Sequence, residues 1–158
     1  MPDPLTAFGL ASNVIQLVGF CAKLLSESHK FIKSTSDALP ANDEIAQLAE
    51  AERVLALGIT KTNATQLSPQ EALLQQRAAR CLREAACLLN LLNGLKVAIR
   101  PDGTKSRVEV LSKTLESRLK KSEIQASEER LRRLQDQVAA ALLYLIRYVK
   151  SIILRAPF

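Results

Sequence analysis

Residues 4–22 read PLTAFGLASNVIQLVGFCA and contain no charged side chain. A stretch of this kind is a signal peptide, a membrane-spanning helix or a buried helix of a bundle. A signal peptide begins with positive charge, but the only earlier charged side chain here is that of Asp3. A spanning helix needs about 20 mostly apolar residues, and four polar residues interrupt this run: Thr6, Ser12, Asn13 and Gln16.

Apolar residues recur at helical spacing through this stretch and beyond it. They form one stripe that consists of Leu10, Val14, Leu17, Val18, Cys21, Leu24, Leu25, Phe31 and Ile32. A single stripe is typical of an amphipathic helix that packs on a core. We therefore expect a bundle helix, and a helix that moves between bundle and membrane remains the second interpretation.

The composition indicates one all-α domain. The chain has 158 residues, is 47% hydrophobic and contains five glycines, and no alternating β-branched run predicts a strand. Its 22 basic and 16 acidic side chains give a net charge of +6. This mixed pattern is typical of solvated helix surfaces and disfavours nucleic-acid binding, whereas attraction to an anionic membrane surface stays open because basic residues lie beside apolar helices.

Start and stop signals divide the chain into helices. The first helix is predicted from Asp3-Pro4 to about Lys33, with Asp3 as N-cap and Pro40 as a stop. The second begins with Asn42 or Asp43 as cap, and its pattern fades through Gly58. Ser68-Pro69-Gln70-Glu71 is a capping box that starts the third, which the turn residues 100–103 end.

The remaining residues predict a polar helix followed by a long one, with a weak point near Ser122 between them. Long amphipathic helices joined by short turns describe a bundle. We therefore predict an all-α fold: one domain, 1–158, built as a helical bundle of four to six mostly long antiparallel helices.

Residues with catalytic chemistry are few. His29 is the only histidine and has no local Cys, Asp or Ser arrangement that would make it a base. Three cysteines, Cys21, Cys81 and Cys87, lie in apolar helical stretches and predict buried thiols in a reducing, cytosolic setting. Glu128 and Glu129 are interpreted as a solvated face with local ion pairs. We expect no enzyme activity, no cofactor, no metal and no small-molecule substrate.

Two apolar features are candidates for binding. Ala7 and Ala11 have the spacing of small residues that lets helices associate in membranes, although ordinary packing in the bundle also explains it. The second feature is residues 139–154, which Arg147 and Lys150 interrupt. A full span is disfavoured there, and an amphipathic interfacial helix or a buried bundle helix remains.

The opening residues 3–16, DPLTAFGLASNVIQ, resemble the N-terminal domain of fungal NLR-like (STAND) proteins, in which such a domain precedes a NACHT or similar module. Residues 38–42 resemble the turn after the first helix of that family. Residues 67–69 and 79–81 resemble its third helix, and residues 129–131 with Leu134, Leu142 and Leu143 resemble its last helix.

The resemblance implies a helical effector or signalling domain related to the HeLo-like and SesA-type groups. Such domains are associated with fungal self/non-self recognition and regulated cell death, and act through protein partners or self-association. In HeLo-like members the first helix targets membranes. The residues that would form this membrane or oligomerisation helix are Leu5, Phe8, Leu10, Val14, Leu17, Val18 and Cys21. A cytoplasmic domain recruited to the plasma membrane is the first hypothesis, and a pure interaction module is the alternative.

Overall fold

The computed structural model describes residues 4–33, 42–61, 67–98 and 107–157. Within these residues the chain forms four helices and no strand: α1 (Pro4–Lys33), α2 (Asn42–Thr60), α3 (Pro69–Ala98) and α4 (Arg107–Arg155). The predicted all-α helical bundle is confirmed. The predicted signals at Asp3, Pro40 and residues 100–103 lie outside the described residues.

One helix, α4, replaces the two that were predicted for the last third of the chain. It runs through Ser122 without a break over 49 residues, a length of ~74 Å at 1.5 Å per residue. The predicted weak point was wrong because serine is only mildly unfavourable in a helix. Only glycine and proline interrupt helices strongly, and neither occurs between Gly103 and Pro157.

The start of α3 is fixed by the predicted capping box. The backbone N–H of Ser68 donates to the Glu71 carboxylate at 2.6 Å, and the backbone N–H of Glu71 donates to the Ser68 hydroxyl at 3.3 Å. Two backbone donors at the helix start thus find acceptors. The box lets the helix begin at Pro69.

Gly58 does not end α2, which continues to Thr60. Ile59 is buried and therefore holds this last turn on the core. The side-chain amide of Asn13 donates to the Gly58 carbonyl at 3.2 Å, and a Cβ on Gly58 would meet the Asn13 amide at 3.2–3.3 Å. Glycine here serves the close approach of α1 to α2.

Hydrogen bonds between helices define their directions. The Gln135 amide donates to the Val18 carbonyl at 3.1 Å and the Ser28 hydroxyl donates to Glu128, so α1 and α4 run antiparallel. Arg77 donates to the Gln137 carbonyl at 3.3 Å. Arg130 donates to Glu84 at 2.9 Å, so α3 is also antiparallel to α4. It follows that α1 and α3 point the same way.

The core lies where the four helices meet. Its largest fully buried side chains are Leu10, Leu17, Leu24, Ile45, Leu48, Ile59, Leu74, Leu88, Leu92, Ile124, Leu131 and Leu145. Leucine and isoleucine supply most of this volume, which follows from the scarcity of aromatic residues in the sequence. Burial of apolar surface on this scale is the main stabilising term of the fold.

Among the described residues, the last turns of α4 extend past the first residues of α1 and α3. The pairs Arg77–Gln137 and Glu84–Arg130 place the first residue of α3, Pro69, opposite Leu145. The α1 register likewise brings Pro4 close to Val149. Residues 151–157 are accordingly all exposed.

Candidate interaction surface at one end of the bundle

Large apolar side chains are exposed at one end of the molecule. We define the apolar end as residues 4–15 of α1 and 143–155 of α4. It exposes Leu5, Phe8, Ile15, Leu143, Tyr144, Ile146, Ile152, Ile153 and Leu154. Three of these are largely accessible, with Leu5 78%, Phe8 61% and Leu154 74% exposed. A concentration of large exposed apolar side chains is typical of interaction sites.

The neighbouring helices add to this surface on the same half of the bundle. Val54 and Leu57 near the end of α2 and Leu73 near the start of α3 are also exposed. Among the described residues, Leu119 is the one large exposed hydrophobic side chain that lies elsewhere. Among the side chains that the structure describes, the exposed large apolar ones are therefore concentrated on this half of the bundle.

A groove of about 250 Å³ lies between α1 and α4 at the apolar end. Its lining is almost wholly apolar and consists of Ala7, Phe8, Ala11, Leu145, Ile146, Val149, Lys150, Ile153 and Leu154. The groove exists because the short side chains of Ala7 and Ala11 face the larger residues of α4. No further helix of the described residues covers it.

The small residues of α1 divide between the two faces of the helix. Ala7 is buried and Ala11 half-buried, and both line the groove. Gly9 and Gly19 are exposed, with nothing within 4 Å of where a Cβ would be. Close packing inside the bundle therefore involves the alanines, and these two glycines face solvent.

The apolar end carries basic charge only. No acidic residue occurs between Asp3 and Glu27 or after Asp136. Arg147, Lys150 and Arg155 are exposed on α4. A surface that combines apolar side chains with basic ones attracts anionic partners.

At the opposite end, polar contacts between helices accompany the buried core. We define the polar end as residues 23–33 of α1 and 118–131 of α4. The Glu84 carboxylate of α3 accepts hydrogen bonds from the Ser127 hydroxyl at 2.8 Å and from Arg130 at 2.9 Å. The Lys121 ammonium lies 5.7 Å from the centre of the Phe31 ring, within reach of a cation–π interaction.

The prediction that Glu128 lies on a solvated face is wrong. Its side chain is buried and accepts a hydrogen bond from the buried hydroxyl of Ser28. Arg130 pairs with Glu84 of another helix rather than with a neighbour in its own. Glu129 is exposed as predicted. Charged residues in one run thus take opposite environments because a helix turns by 100° per residue.

The seven residues of the predicted membrane or oligomerisation helix also divide. Leu10, Val14, Leu17 and Cys21 are buried in the core, and Val18 is packed against it. Leu5 and Phe8 are exposed at the apolar end. In the folded bundle only these two side chains are placed to contact a partner.

Residues 139–154 were predicted to form either an interfacial helix or a buried bundle helix, and neither prediction holds for the whole segment. Ala141, Leu142 and Leu145 are buried, so the beginning of this segment belongs to the core. The buried-helix interpretation is wrong for the end of the segment, where Ile152, Ile153 and Leu154 are exposed. A sequence signal existed: apolar residues surround the whole helix here, and one packed face cannot bury all of them.

Among the described residues, two helical segments are long and apolar enough to cross a membrane by length and composition. They are Leu5–Lys33 and Arg118–Arg155. Only 33% of the most apolar window of the first and 22% of that of the second are buried. Both windows therefore keep much of their surface available.

The histidine and cysteines do not form a metal centre. His29 is exposed, and within the described part of the chain no three His, Cys, Asp or Glu side chains converge on a point where a metal ion could bind. Cys21 and Cys81 are buried as predicted, whereas Cys87 is exposed, which corrects its predicted burial.

Comparison with protein-family models, with curated proteins and with solved structures finds no match to this chain.

Proposed function

We propose that this chain is a non-enzymatic effector or signalling domain that binds anionic membrane surfaces through the apolar end. The observation that carries the proposal is the coincidence of exposed apolar side chains with Arg147, Lys150 and Arg155 and without any acidic residue. Interfacial membrane anchors combine the same two features. The domain would be cytoplasmic and recruited to the plasma membrane.

The side chains of the apolar end favour contact with a membrane interface over contact with water. Phe8, Ile153 and Leu154 are exposed near the start of α1 and the end of α4, and Tyr144 of α4 is 60% exposed. Aromatic side chains with a polar group favour the membrane–water interface. Arg147 and Lys150 interrupt the apolar segment, so insertion of the tip into the interface is favoured over a complete span.

The expected affinity of one domain is modest. Phe8, Ile153 and Leu154 would each gain roughly 1 kcal/mol if they became partly buried in the membrane interface. Three basic side chains gain about 1 kcal/mol each near anionic lipid. The total of about 6 kcal/mol is similar to that of a single myristoyl chain, which binds reversibly. Stable attachment would require several domains together.

Because one domain binds only weakly, the proposal includes self-association of the domain. Clustering converts weak individual contacts into stable attachment, which is a switch without catalysis. The resemblance of residues 3–16 to the N-terminal domains of fungal NLR-like proteins supports this role, because those domains act by association. Membership of that family, with a role in regulated cell death, is part of the proposal.

Vesicle co-sedimentation tests the membrane contact. Phe8→Glu combined with Leu154→Glu places charge at two exposed positions and leaves the core intact. We expect the unaltered protein to bind vesicles containing phosphatidylserine, and the double variant to lose at least about tenfold in binding, since each buried charge costs more than 1.4 kcal/mol. Leu119→Glu is the matched control and should bind normally. Deletion of residues 1–22 is unsuitable because it removes Leu10, Val14 and Leu17 from the core.

The alternative, a pure interaction module, has its own outcome in the same experiment. It predicts no sedimentation with vesicles of any composition. Self-association in sedimentation-velocity runs, abolished by Phe8→Glu and not by Leu119→Glu, is expected under both hypotheses, so vesicle binding distinguishes them. Equal binding of the double variant and the unaltered protein to anionic vesicles would contradict the membrane proposal.

A further inference from the structure

Two buried cysteines face each other across the contact of α1 and α3. The Sγ atoms of Cys21 and Cys81 are 3.6 Å apart, one thiol donating a hydrogen bond to the other, and the residues lie 60 positions apart in the sequence. Both side chains are at most 1% exposed. Ala78 and Ala85, one turn to either side of Cys81, are also fully buried, and these short side chains favour a close approach of the helices.

We propose that Cys21 and Cys81 are an oxidation site at which hydrogen peroxide forms a disulfide between α1 and α3. The two sulfurs must come about 1.5 Å closer to reach the ~2.05 Å of a disulfide. Rotation about the Cα–Cβ bonds and small helix shifts can supply this movement. The proposal does not rest on membrane binding, since the product forms and is measured in solution.

The reaction balances with one equivalent of peroxide. The Cys81 thiolate attacks one peroxide oxygen, the O–O bond breaks, and the departing hydroxide takes the proton released from the thiol to give water. The Cys81 sulfenic acid remains. The Cys21 sulfur then attacks the Cys81 sulfur; an S–S bond forms, the S–O bond breaks, and hydroxide leaves with the Cys21 proton as a second water. Two thiols are oxidised and one peroxide is reduced to two waters.

The proposed reaction takes Cys21 as the donor of the hydrogen bond, which either thiol can donate. With Cys21 as donor, the bond lowers the pKa of Cys81, and the same bond, followed by burial, raises the pKa of Cys21. The thiolate is the reactive species, so Cys81 is the first sulfur to react. Cys21 keeps its proton until it attacks the sulfenic acid.

Burial selects the oxidant and protects the intermediate. Peroxide is close to water in size and enters through small local openings of the bundle, whereas glutathione disulfide is too large to reach a pair this deeply buried. The sulfenic acid forms with a second thiol as its nearest nucleophile and with little solvent around it. Disulfide formation therefore precedes further oxidation to sulfinic acid.

A disulfide at this position would tie α1 to the rest of the bundle. It closes a loop of about 60 residues in the unfolded chain, and loops of this length reduce the entropy of the unfolded state substantially. We expect Tm to rise by roughly 5–10 °C on oxidation. α1 could then no longer separate from α3.

The experiment uses the full chain with Cys87→Ser, because Cys87 is exposed and would otherwise form intermolecular disulfides. The protein is treated with hydrogen peroxide, and intact mass, free thiols and Tm are measured. We expect a loss of two hydrogens, no free thiol in the unfolded product, a peptide in which Cys21 is joined to Cys81, and a rise in Tm that dithiothreitol reverses.

Cys81→Ala in the same background is the matched control, since alanine already occupies the flanking positions. It should show no reversible rise in Tm. Two outcomes would overturn the proposal: both thiols survive peroxide that fully oxidises Cys87 in the unaltered protein, or the mass rises by two oxygens per sulfur without a cross-link. A cross-linked protein that melts at a lower temperature than the reduced one would contradict the expected gain in stability.

Discussion

The two ends of the bundle share α1 and α4 but differ in the contacts between helices. At the polar end, Ser28, Glu128, Ser127 and Glu84 form hydrogen bonds between helices, and Lys121 lies over the Phe31 ring. At the apolar end, α1 and α4 meet through apolar side chains around an open groove. One end has directional contacts and mixed charge, and the other has apolar surface and basic charge.

The polar end fixes how the helices are aligned, and the apolar end exposes side chains for binding. The same apolar side chains cannot do both, because a side chain buried in the core is not available to a partner. Directional hydrogen bonds fix the register of α1 against α4, because a shift of either helix would leave buried polar groups without partners. Once this register is fixed, side chains beyond the packed core need not contribute to stability. The apolar end is therefore where a binding function costs the fold least.

The largest difference is expected between two leucines. Leu24 near the polar end is fully buried and Leu154 at the apolar end is 74% exposed. We expect Leu24→Ala to lower the free energy of unfolding by about 2–5 kcal/mol, and Leu154→Ala to change it by less than about 0.5 kcal/mol. Urea denaturation measures both. Equal losses would show that the apolar end is part of the stabilising core.

A smaller effect distinguishes two adjacent glutamates. Glu128→Ala leaves the buried Ser28 hydroxyl without its acceptor, and we expect a loss of about 1–3 kcal/mol. Glu129 is exposed, so Glu129→Ala should cost less than about 0.5 kcal/mol. If thermal or urea unfolding of the two variants coincides, the polar end does not depend on the Ser28–Glu128 contact.

The capping box tests whether one directional contact matters on the apolar half of the molecule. Ser68→Ala removes the acceptor of the Glu71 amide and should cost about 1 kcal/mol. Ser151 is exposed and donates only to a carbonyl of its own helix, so Ser151→Ala serves as the control and should be nearly neutral. A neutral Ser68→Ala would mean that tertiary packing alone holds the start of α3.

The smallest expected effect concerns acid. The hydrogen bond from Lys30, at 2.8 Å, lowers the pKa of Glu27 below its usual value. A lowered pKa in the folded state adds stability above the usual pKa, near 4.5, and this stability is lost as the pH falls through the folded-state pKa. Glu27→Gln and Lys30→Met should each flatten the pH dependence of unfolding below pH ~5. Unchanged slopes in both variants would contradict this assignment.

Local signals in the sequence predicted much of the fold. The capping box at Ser68 and the apolar stripe from Leu10 to Phe31 depend on neighbours within one helix, and both were confirmed. The continuity of α4 through Ser122 was missed because the polar stretch around it was taken for a break. Propensity alone would have favoured a single helix there.

Contacts between helices could not be predicted from one sequence. Ser28 meets Glu128 and Cys21 meets Cys81 across 100 and 60 positions, respectively, and only the tertiary register brings these side chains together. The exposure of Leu5 and Phe8, which belong to the same apolar run as buried Leu10, also depends on where α2, α3 and α4 begin and end. The site therefore depends on differences in helix length that a periodic pattern does not reveal.

A single introduced tryptophan tests the central claim most directly, because the chain has none and its emission is free of background. Phe8→Trp places the probe at the apolar end, and Leu119→Trp places it at a comparably exposed site near the polar end, 66% against 61% exposed. On addition of vesicles containing phosphatidylserine, we expect the emission of Trp at position 8 to shift to shorter wavelength and to be quenched by brominated lipid, with position 119 unchanged. Equal responses at both positions, or a response at 119 alone, would contradict the account.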